Sequence, residues 1–417
     1  MAQSLLAGYG NEGIVDNQTT FLPIGTSIIQ NTSVAQREQI VRDAGSFLNL
    51  FVYVPTNTAS VTSTITLQKS TVDTALTVSY TSDQTGIKED TDSVAFLATD
   101  EINYEVTIPS EGGTNTLTIS VLKIEFIPDT ITNCISFLGK LSGVFSSAST
   151  TSFMLPVGDG SYNTTENNVK LRIRETFVAS NLYFYASANA RTTDVVIKTR
   201  VDGGDGNQSF TYTSGQTGAK EDTSNTDSLS AGNDFNLSIT TGTGTENFNL
   251  NGGAQMIRLV NTLNKNALYK GLSSGFSFAA NSTRYTGIGG SGLGNASEIL
   301  TQFYPQFNIT ASELGVFVSA NAGASLASTI NLRDNGGVST LIVSYLAGQT
   351  GLKNDSSNTV EISSGTDEIN YEIICLDLTG GITITWIGIL ATSTTTVTFI
   401  SKPPLIINQT INRANTY

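Results

Sequence analysis

The sequence predicts an all-β protein built from three tandem homologous β-sandwich domains of jelly-roll type. Three observations carry this. The heptapeptide Gln84-Thr85-Gly86-Ile87-Lys88-Glu89-Asp90 returns as Gln216-Thr217-Gly218-Ala219-Lys220-Glu221-Asp222 and again as Gln349-Thr350-Gly351-Leu352-Lys353-Asn354-Asp355, at spacings of 132 and 133 residues. A period that long is a whole domain and not a solenoid unit. Between the repeats, apolar and β-branched residues alternate with Ser and Thr, as in Leu76-Thr77-Val78-Ser79-Tyr80, where Leu76, Val78 and Tyr80 share one face. Gly, Asn and Asp turns break the pattern about every 8–12 residues, the spacing of a sandwich or barrel.

The repeat divides the chain into an N-terminal arm (1–20), module 1 (21–128), module 2 (129–262), module 3 (263–400) and a C-terminal arm (401–417). Each copy opens on a short anchor: Phe21-Leu22-Pro23-Ile24-Gly25, Met154-Leu155-Pro156-Val157-Gly158 and Tyr285-Thr286-Gly287-Ile288-Gly289. An apolar strand follows at 47–54, 182–185 and 314–318. The next strands lie at 64–67, 194–197 and 329–332, and then at runs ending on Tyr80, Tyr212 and Tyr345. After the heptapeptide come a Ser/Thr/Asn patch and two further strands. About seven or eight strands per copy suit the eight-stranded double-sheet jelly roll. The segment Val34–Ala44 fits a helix, with Ser33 and Gln36 as a capping box and Gly45 as a C-cap. Its counterpart Val169–Arg174 alternates like a strand, and strand is the preferred reading because homologous copies share elements.

Composition narrows the function. Only 13% of residues are charged and the net charge is −14, which argues against a nucleic-acid backbone or an anionic membrane as partner. No run of 18 apolar residues appears. The first ten residues lack the basic and apolar regions of a secretory signal, so the chain reads as assembled inside a cell. The two cysteines, Cys134 and Cys375, sit at non-equivalent positions and read as buried free thiols.

There is no histidine, which removes the Ser-His-Asp triad, the Cys-His dyad and His-ligated zinc. It also predicts stability that is flat between about pH 5 and 8. The carboxylate pairs Asp100-Glu101 and Asp367-Glu368 face opposite sides of a strand and read as turn residues, not as a glycosidase pair. The heptapeptide reads as a structural loop. Gly86, Gly218 and Gly351 allow positive φ, Asp90, Asp222 and Asp355 cap backbone N–H groups, and Lys88, Lys220 and Lys353 pair with those carboxylates or a neighbouring module. Gln84, Gln216 and Gln349 open it. Calcium ligation by Asp90 with Asp92, or Asp202 with Asp205, is the functional alternative. No catalytic residue, cofactor or metal site is assigned.

The string from Asp334-Asn335-Gly336 through the heptapeptide to Asp367-Glu368-Ile369-Asn370-Tyr371 resembles β modules of tailed-bacteriophage and related virus structural proteins, and more distantly C1q/TNF-like jelly rolls. The resemblance implies a non-enzymatic virion protein serving as capsid decoration, fibre or receptor-binding component. Its partners would be further copies of itself, other virion proteins and a host surface glycan or receptor. The alternatives are a surface-layer, pilus-like or adhesin subunit, and, less favoured, a carbohydrate-active enzyme on a β scaffold.

Overall fold

The computed structural model describes residues 4–393 apart from 16–17, 23, 25–31, 33, 35–37, 42–43, 110–115, 130–133, 161, 261–264, 289–293, 299–300, 302–307 and 364–365. In the first copy the strands are β1 (Ser4–Val15), β2 (Gln18–Leu22), β3 (Gln39–Ile40), β4 (Gly45–Val54), β5 (Thr56–Asn57), β6 (Ser63–Lys69), β7 (Val72–Tyr80), β8 (Gly86–Phe96), β9 (Glu101–Ile108) and β10 (Thr116–Pro128). The second copy holds β11 (Cys134–Phe145), β12 (Thr151–Met154), β13 (Gly158–Gly160), β14 (Leu171–Arg172), β15 (Phe177–Asn189), β16 (Val195–Val201), β17 (Gly204–Tyr212), β18 (Gly218–Leu229), β19 (Asp234–Thr241) and β20 (Phe248–Val260). The third holds β21 (Lys265–Phe278), β22 (Ser282–Thr286), β23 (Ile309–Asn321), β24 (Ser328–Asp334), β25 (Gly337–Tyr345), β26 (Gly351–Ile362), β27 (Ile369–Cys375) and β28 (Ile382–Ser393).

The same strand order appears three times. One sheet runs β1-β10-β4-β8, β11-β20-β15-β18 and β21-β28-β23-β26; the facing sheet runs β2-β9-β6-β7, β12-β19-β16-β17 and β22-β27-β24-β25. Two four-stranded antiparallel sheets with this permutation form a jelly roll. Each copy packs its alternating apolar faces between its own two sheets, around Tyr80, Tyr104 and Phe126 in the first, Tyr212, Phe235 and Phe248 in the second, and Tyr345, Tyr371 and Phe276 in the third. The short parallel strand β13 bridges β11 and β21, joining the second and third copies into one nine-stranded sheet.

Two sequence expectations change here. Within the expected N-terminal arm 1–20, the described segment Ser4–Val15 is not outside the repeat. β1 pairs along its length with β10, occupies the place that β11 and β21 hold in the other copies, and buries Ile14 completely. Gly8, Gly10 and Gly13 interrupt its alternation and its register shifts between Tyr9 and Glu12, which hides the strand signal. Of the Val34–Ala44 stretch, the described residues hold a helical Val34 and the short strand Gln39–Ile40. Glu38 N–H bonds to Val34 O one helical turn back, and Gln39–Ile40 then pairs with β9 as β14 pairs with β19. The expected C-terminal arm, 401–417, lies outside the described residues.

The long strands β4, β15 and β23 carry the feature that organises the molecule. Each has a bulge marked by a left-handed residue, Asn49, Asn181 and Glu313, at φ 55°, 57° and 53°. Beyond it the runs Leu50–Val54, Leu182–Ala186 and Leu314–Val318 are almost wholly buried on both faces. One face enters the strand's own core and the other enters a neighbour's. Phe51 and Tyr53 of the first copy join the third core, Tyr183 and Tyr185 of the second join the first, and Phe317 of the third joins the second. The contacts therefore close a ring: first onto third, third onto second, second onto first.

Candidate functional site

The repeated heptapeptide begins in the turn before β8, β18 and β26 and runs into the strand. Only its first two residues are loop, because Gly86, Gly218 and Gly351 already start the strands, at φ 99°, 91° and 91°. The Gln side chain closes the turn on itself: Gln84 Oε1 accepts from Thr81 N at 3.1 Å, Gln216 Oε1 from Thr213 N at 3.1 Å, and Gln349 Oε1 from Leu346 N at 2.9 Å. The Asp side chain reaches across to the preceding strand. Asp90 Oδ2 accepts from Thr77 N at 2.7 Å, Asp222 Oδ2 from Ser209 N at 2.8 Å, and Asp355 Oδ2 from Ile342 N at 3.1 Å. Partial burial raises the Asp222 and Asp355 carboxyls, but hydrogen bonds from Asn225 and Asn358 and from backbone N–H groups outweigh it. The two are held below the usual carboxylate range.

The lysines do not pair with these carboxylates or with a neighbouring copy. Lys88, Lys220 and Lys353 donate to the backbone carbonyls of Ser79, Thr211 and Ser344 on the preceding strand. Their ammonium groups lie 5.1, 5.5 and 5.0 Å from the ring centroids of Tyr80, Tyr212 and Tyr345. The tyrosine hydroxyls in turn donate across the core to Val52 O, Phe184 O and Val316 O at 2.8, 2.9 and 2.6 Å. Burial pushes all three phenols well above their ordinary range.

Sequence reasoning missed one member of this unit. Asn57, Asn189 and Asn321, each at the end of the long strand region, donate from Nδ2 to two carbonyls of the turn: Thr81 O and Gln84 O, Thr213 O and Gln216 O, Leu346 O and Gln349 O. The unit is thus a closed clamp of Asn, Tyr, Gln, Gly, Lys and Asp that binds three strands of each copy.

The other candidate residues sit in structural contacts. Asp100 pairs with Lys69 at 2.9 Å and accepts from Leu97 N, while Asp367 accepts from Ser363 N and Asn335 Nδ2. Asp205 pairs with Lys198 and Arg200, and Asp202 accepts from Asp234 N and Asn233 Nδ2. Among the described residues no group of three metal-ligating side chains gathers. Cys375 is a buried free thiol whose pKa burial raises, and the Cys134 side chain lies outside the described residues. No helix among the described residues is long and apolar enough to cross a membrane.

The junction between the second and third copies holds a cleft of about 300 Å3 lined in part by Lys170, Arg172, Asp234, Phe317, Leu352 and Trp386. Several of its polar groups are engaged. Arg172 pairs with Asp234 at 2.7 Å, and Trp386 Nε1 donates to Lys170 O at 2.7 Å. Beside it Arg174 donates to Asn354 Oδ1 at 2.8 Å, while the Tyr269 hydroxyl donates to Arg172 O. The cleft is a seam of the ring.

At one end of the second and third copies the loops are tied by a buried hub, and the two hubs differ. Arg191 donates to the carbonyls of Phe145, Ser147, Gly242, Gly244 and Glu246. In the third copy Asp377 instead accepts from the N–H groups of Ala324, Ser325, Leu326, Thr379 and Gly380. Loops at that end expose Leu326, Leu346, Leu376 and Leu378.

Neither a protein-family profile nor a curated protein matches the chain. Solved structures that match include a protein of an archaeal virus described for its triple jelly-roll fold and turret assembly, at 12% identity over 95% of this chain and 92% of that one, with a TM-score of 0.18. Another comes from the atomic structure of Sulfolobus Turreted Icosahedral Virus, at 11% identity over 93% and 91%, with a TM-score of 0.17. These are viral jelly-roll chains of archaeal viruses and give no support to the narrower resemblance to tailed-bacteriophage or C1q/TNF modules.

Proposed function

We propose that the chain is a non-enzymatic structural protein of a virion, with domains at 4–128, 129–262 and 263–400, acting as an exterior component in contact with further copies and other virion proteins. The observation that carries this reading is the closed ring of three jelly rolls. A ring whose long strands are each buried in a neighbour's core spends its two-sided apolar runs on building one rigid block. Its repeated residues form clamps that hold strands. The leucines exposed together at the end of the third copy support assembly, since contiguous apolar patches of this kind mark contact sites. Cryo-EM of particles with and without the protein tests the proposal. Ordered external density that vanishes on deletion is expected. Unchanged particles, or recovery of the native protein only from the host cell surface, would point to a surface-layer or adhesin subunit.

A further inference from the structure

Three core positions set the second copy apart. From the strand pairings, Leu67, Leu76 and Val94 in the first copy correspond to Leu332, Leu341 and Val360 in the third and to Thr199, Gln208 and Asp227 in the second. Thr199 and Gln208 are fully buried and Asp227 is 2% exposed. Thr199 Oγ1 donates to Asp227 Oδ2 at 2.6 Å, and Gln208 Nε2 donates to the same oxygen at 3.0 Å and to Ala179 O at 3.2 Å. Gln208 Oε1 accepts from Leu182 N at 2.9 Å, and Asp227 Oδ1 accepts from Asn207 N at 2.6 Å. Thr199 Oγ1 also lies 3.3 Å from the backbone carbonyl of Gln208. Gly206 is required here, because a Cβ would stand 2.3 Å from Thr199 Oγ1 and 2.8 Å from Asp227 Oδ1.

Replacing three aliphatic side chains by a hydroxyl, an amide and a carboxylate is costly in a core, and the first and third copies show that the fold does not need it. The arrangement does match a reaction. A nucleophile and the nitrogen of a potential leaving group share one carboxylate oxygen, and the carbonyl oxygen of the same amide faces a backbone N–H donor.

We propose that Thr199, Gln208 and Asp227 form a self-acting cross-linking site that joins β16 to β17 by an internal ester. Thr199 Oγ1 attacks the Gln208 side-chain carbonyl carbon as Asp227 Oδ2 takes the hydroxyl proton. The carbonyl electron pair moves onto Oε1, where the Leu182 N–H stabilises it. The pair then returns, the C–N bond breaks, and Asp227 passes the proton to the departing nitrogen, which leaves as ammonia. The Oγ1–C bond of the ester replaces the hydroxyl O–H and the amide C–N, so atoms and charge balance with no further reactant. Burial holds the groups together and keeps water from the ester.

Peptide mapping of the purified full-length chain tests this. Trypsin should release Thr199-Arg200 joined to Val201–Lys220, lighter than the two free peptides by one ammonia, about 17 Da. Hydroxylamine should split the pair. Thr199→Val and Asp227→Asn should give unlinked peptides at full mass. Recovery of unlinked peptides from the wild-type chain overturns the proposal. So does a 17 Da loss (about the mass of ammonia) that persists in Thr199→Val, since ammonia would then come from elsewhere. If a variant fails to fold, fragmentation of the wild-type linked peptide decides alone.

Discussion

Replacing Tyr80, Tyr212 or Tyr345 by phenylalanine removes a buried hydroxyl and no carbon. Each hydroxyl faces two carbonyls, one on the long strand and one at the glycine that opens the next: Val52 O and Gly86 O, Phe184 O and Gly218 O, Val316 O and Gly351 O, all between 2.6 and 3.0 Å. One net hydrogen bond is worth roughly 0.5–1.5 kcal/mol, and a buried acceptor left without its donor costs more, so each variant should lose about 1–2 kcal/mol. The ring keeps its place and the lysine above it keeps its cation–π contact, so packing loss should be small. The three sites lie in different copies and share no partner, so their effects should add, to about 3–6 kcal/mol in the triple variant. Guanidinium unfolding would show this as lowered midpoints with an unchanged slope. A single variant near zero beside two costly ones would refute the claim that equal geometry does equal work. Three variants each below about 0.5 kcal/mol would refute the clamp itself.

Gly218→Ala meets no atom within 4 Å, so its whole effect is backbone strain at φ 91°, about 1–3 kcal/mol, readable as a lower midpoint. Gly315→Ala would set a Cβ 1.3 Å from Arg174 Nη2, so the Arg174 guanidinium must leave its place between the second and third copies and lose its bond to Asn354. Trp386, the only tryptophan, is buried at that seam, so its emission should shift to the red; unchanged emission would contradict the ring contact. The pH response should not be flat near neutrality. Glu38, raised by burial and by Glu101 to about 7, holds a proton in the folded state that the unfolded state has lost, so stability falls as pH rises from about 4.5 to 7. Lys270, lowered by burial to about 7, releases its proton first in the folded state, so stability rises from there towards about 10.5. Melting temperatures should pass through a shallow minimum near pH 7. Asp222 and Asp355 have depressed folded values, so their contribution is present above about 3.8 and lost as pH falls through those values.

The fold was legible because period and alternation are properties of residue order. Leu76-Thr77-Val78-Ser79-Tyr80 places its strand unaided. The unbroken run Leu50-Phe51-Val52-Tyr53-Val54 also announced a strand, but not that its second face enters another copy; a neighbour's core leaves no mark on local periodicity. β1 was missed because its glycines blur the alternation. Asn57, Asn189 and Asn321 were missed because their partners are backbone carbonyls, which carry no residue signature. A signal did exist: each Asn precedes its Gln by 27, 27 and 28 residues. Charge alone points the lysines to a carboxylate or a neighbouring module, whereas the structure gives them a carbonyl and an aromatic face within the same hairpin. The histidine-free composition suggested a flat pH response, which overlooked how burial shifts Glu38 and Lys270.

Three copies in one chain act as internal replicates, and their differences are more informative than their likenesses. What all three share is the clamp, and it holds strands together. What one copy alone possesses is not demanded by the fold, because its sisters fold without it. The hubs make the point. Arg191 gathers five carbonyls and Asp377 gathers backbone N–H groups, so equivalent ends are tied by opposite charges. Carbonyls drawn inward and N–H groups drawn inward require differently shaped loops, and the loops around Asp377 leave leucines exposed where the described loops around Arg191 do not. A homotrimer of one jelly roll would repeat every such feature three times around its axis. A single chain is free to place apolar tips on one copy and the polar Thr199–Gln208–Asp227 cluster in another while keeping the ring closed. Transplanting Leu346 and Leu378 into the second copy, as Thr213→Leu and Gly244→Leu, separates the two requirements. The first should be tolerated with little loss of stability, because Thr213 is exposed in the same turn. The second should cost about 1–3 kcal/mol, because Gly244 stands at φ 105°, where a side chain is strained, and the Glu246 carboxylate 2.4 Å from the new Cβ must also turn aside. A Gly244→Leu variant as stable as the parent would mean that the ends of the copies are interchangeable and that their divergence has no structural cause.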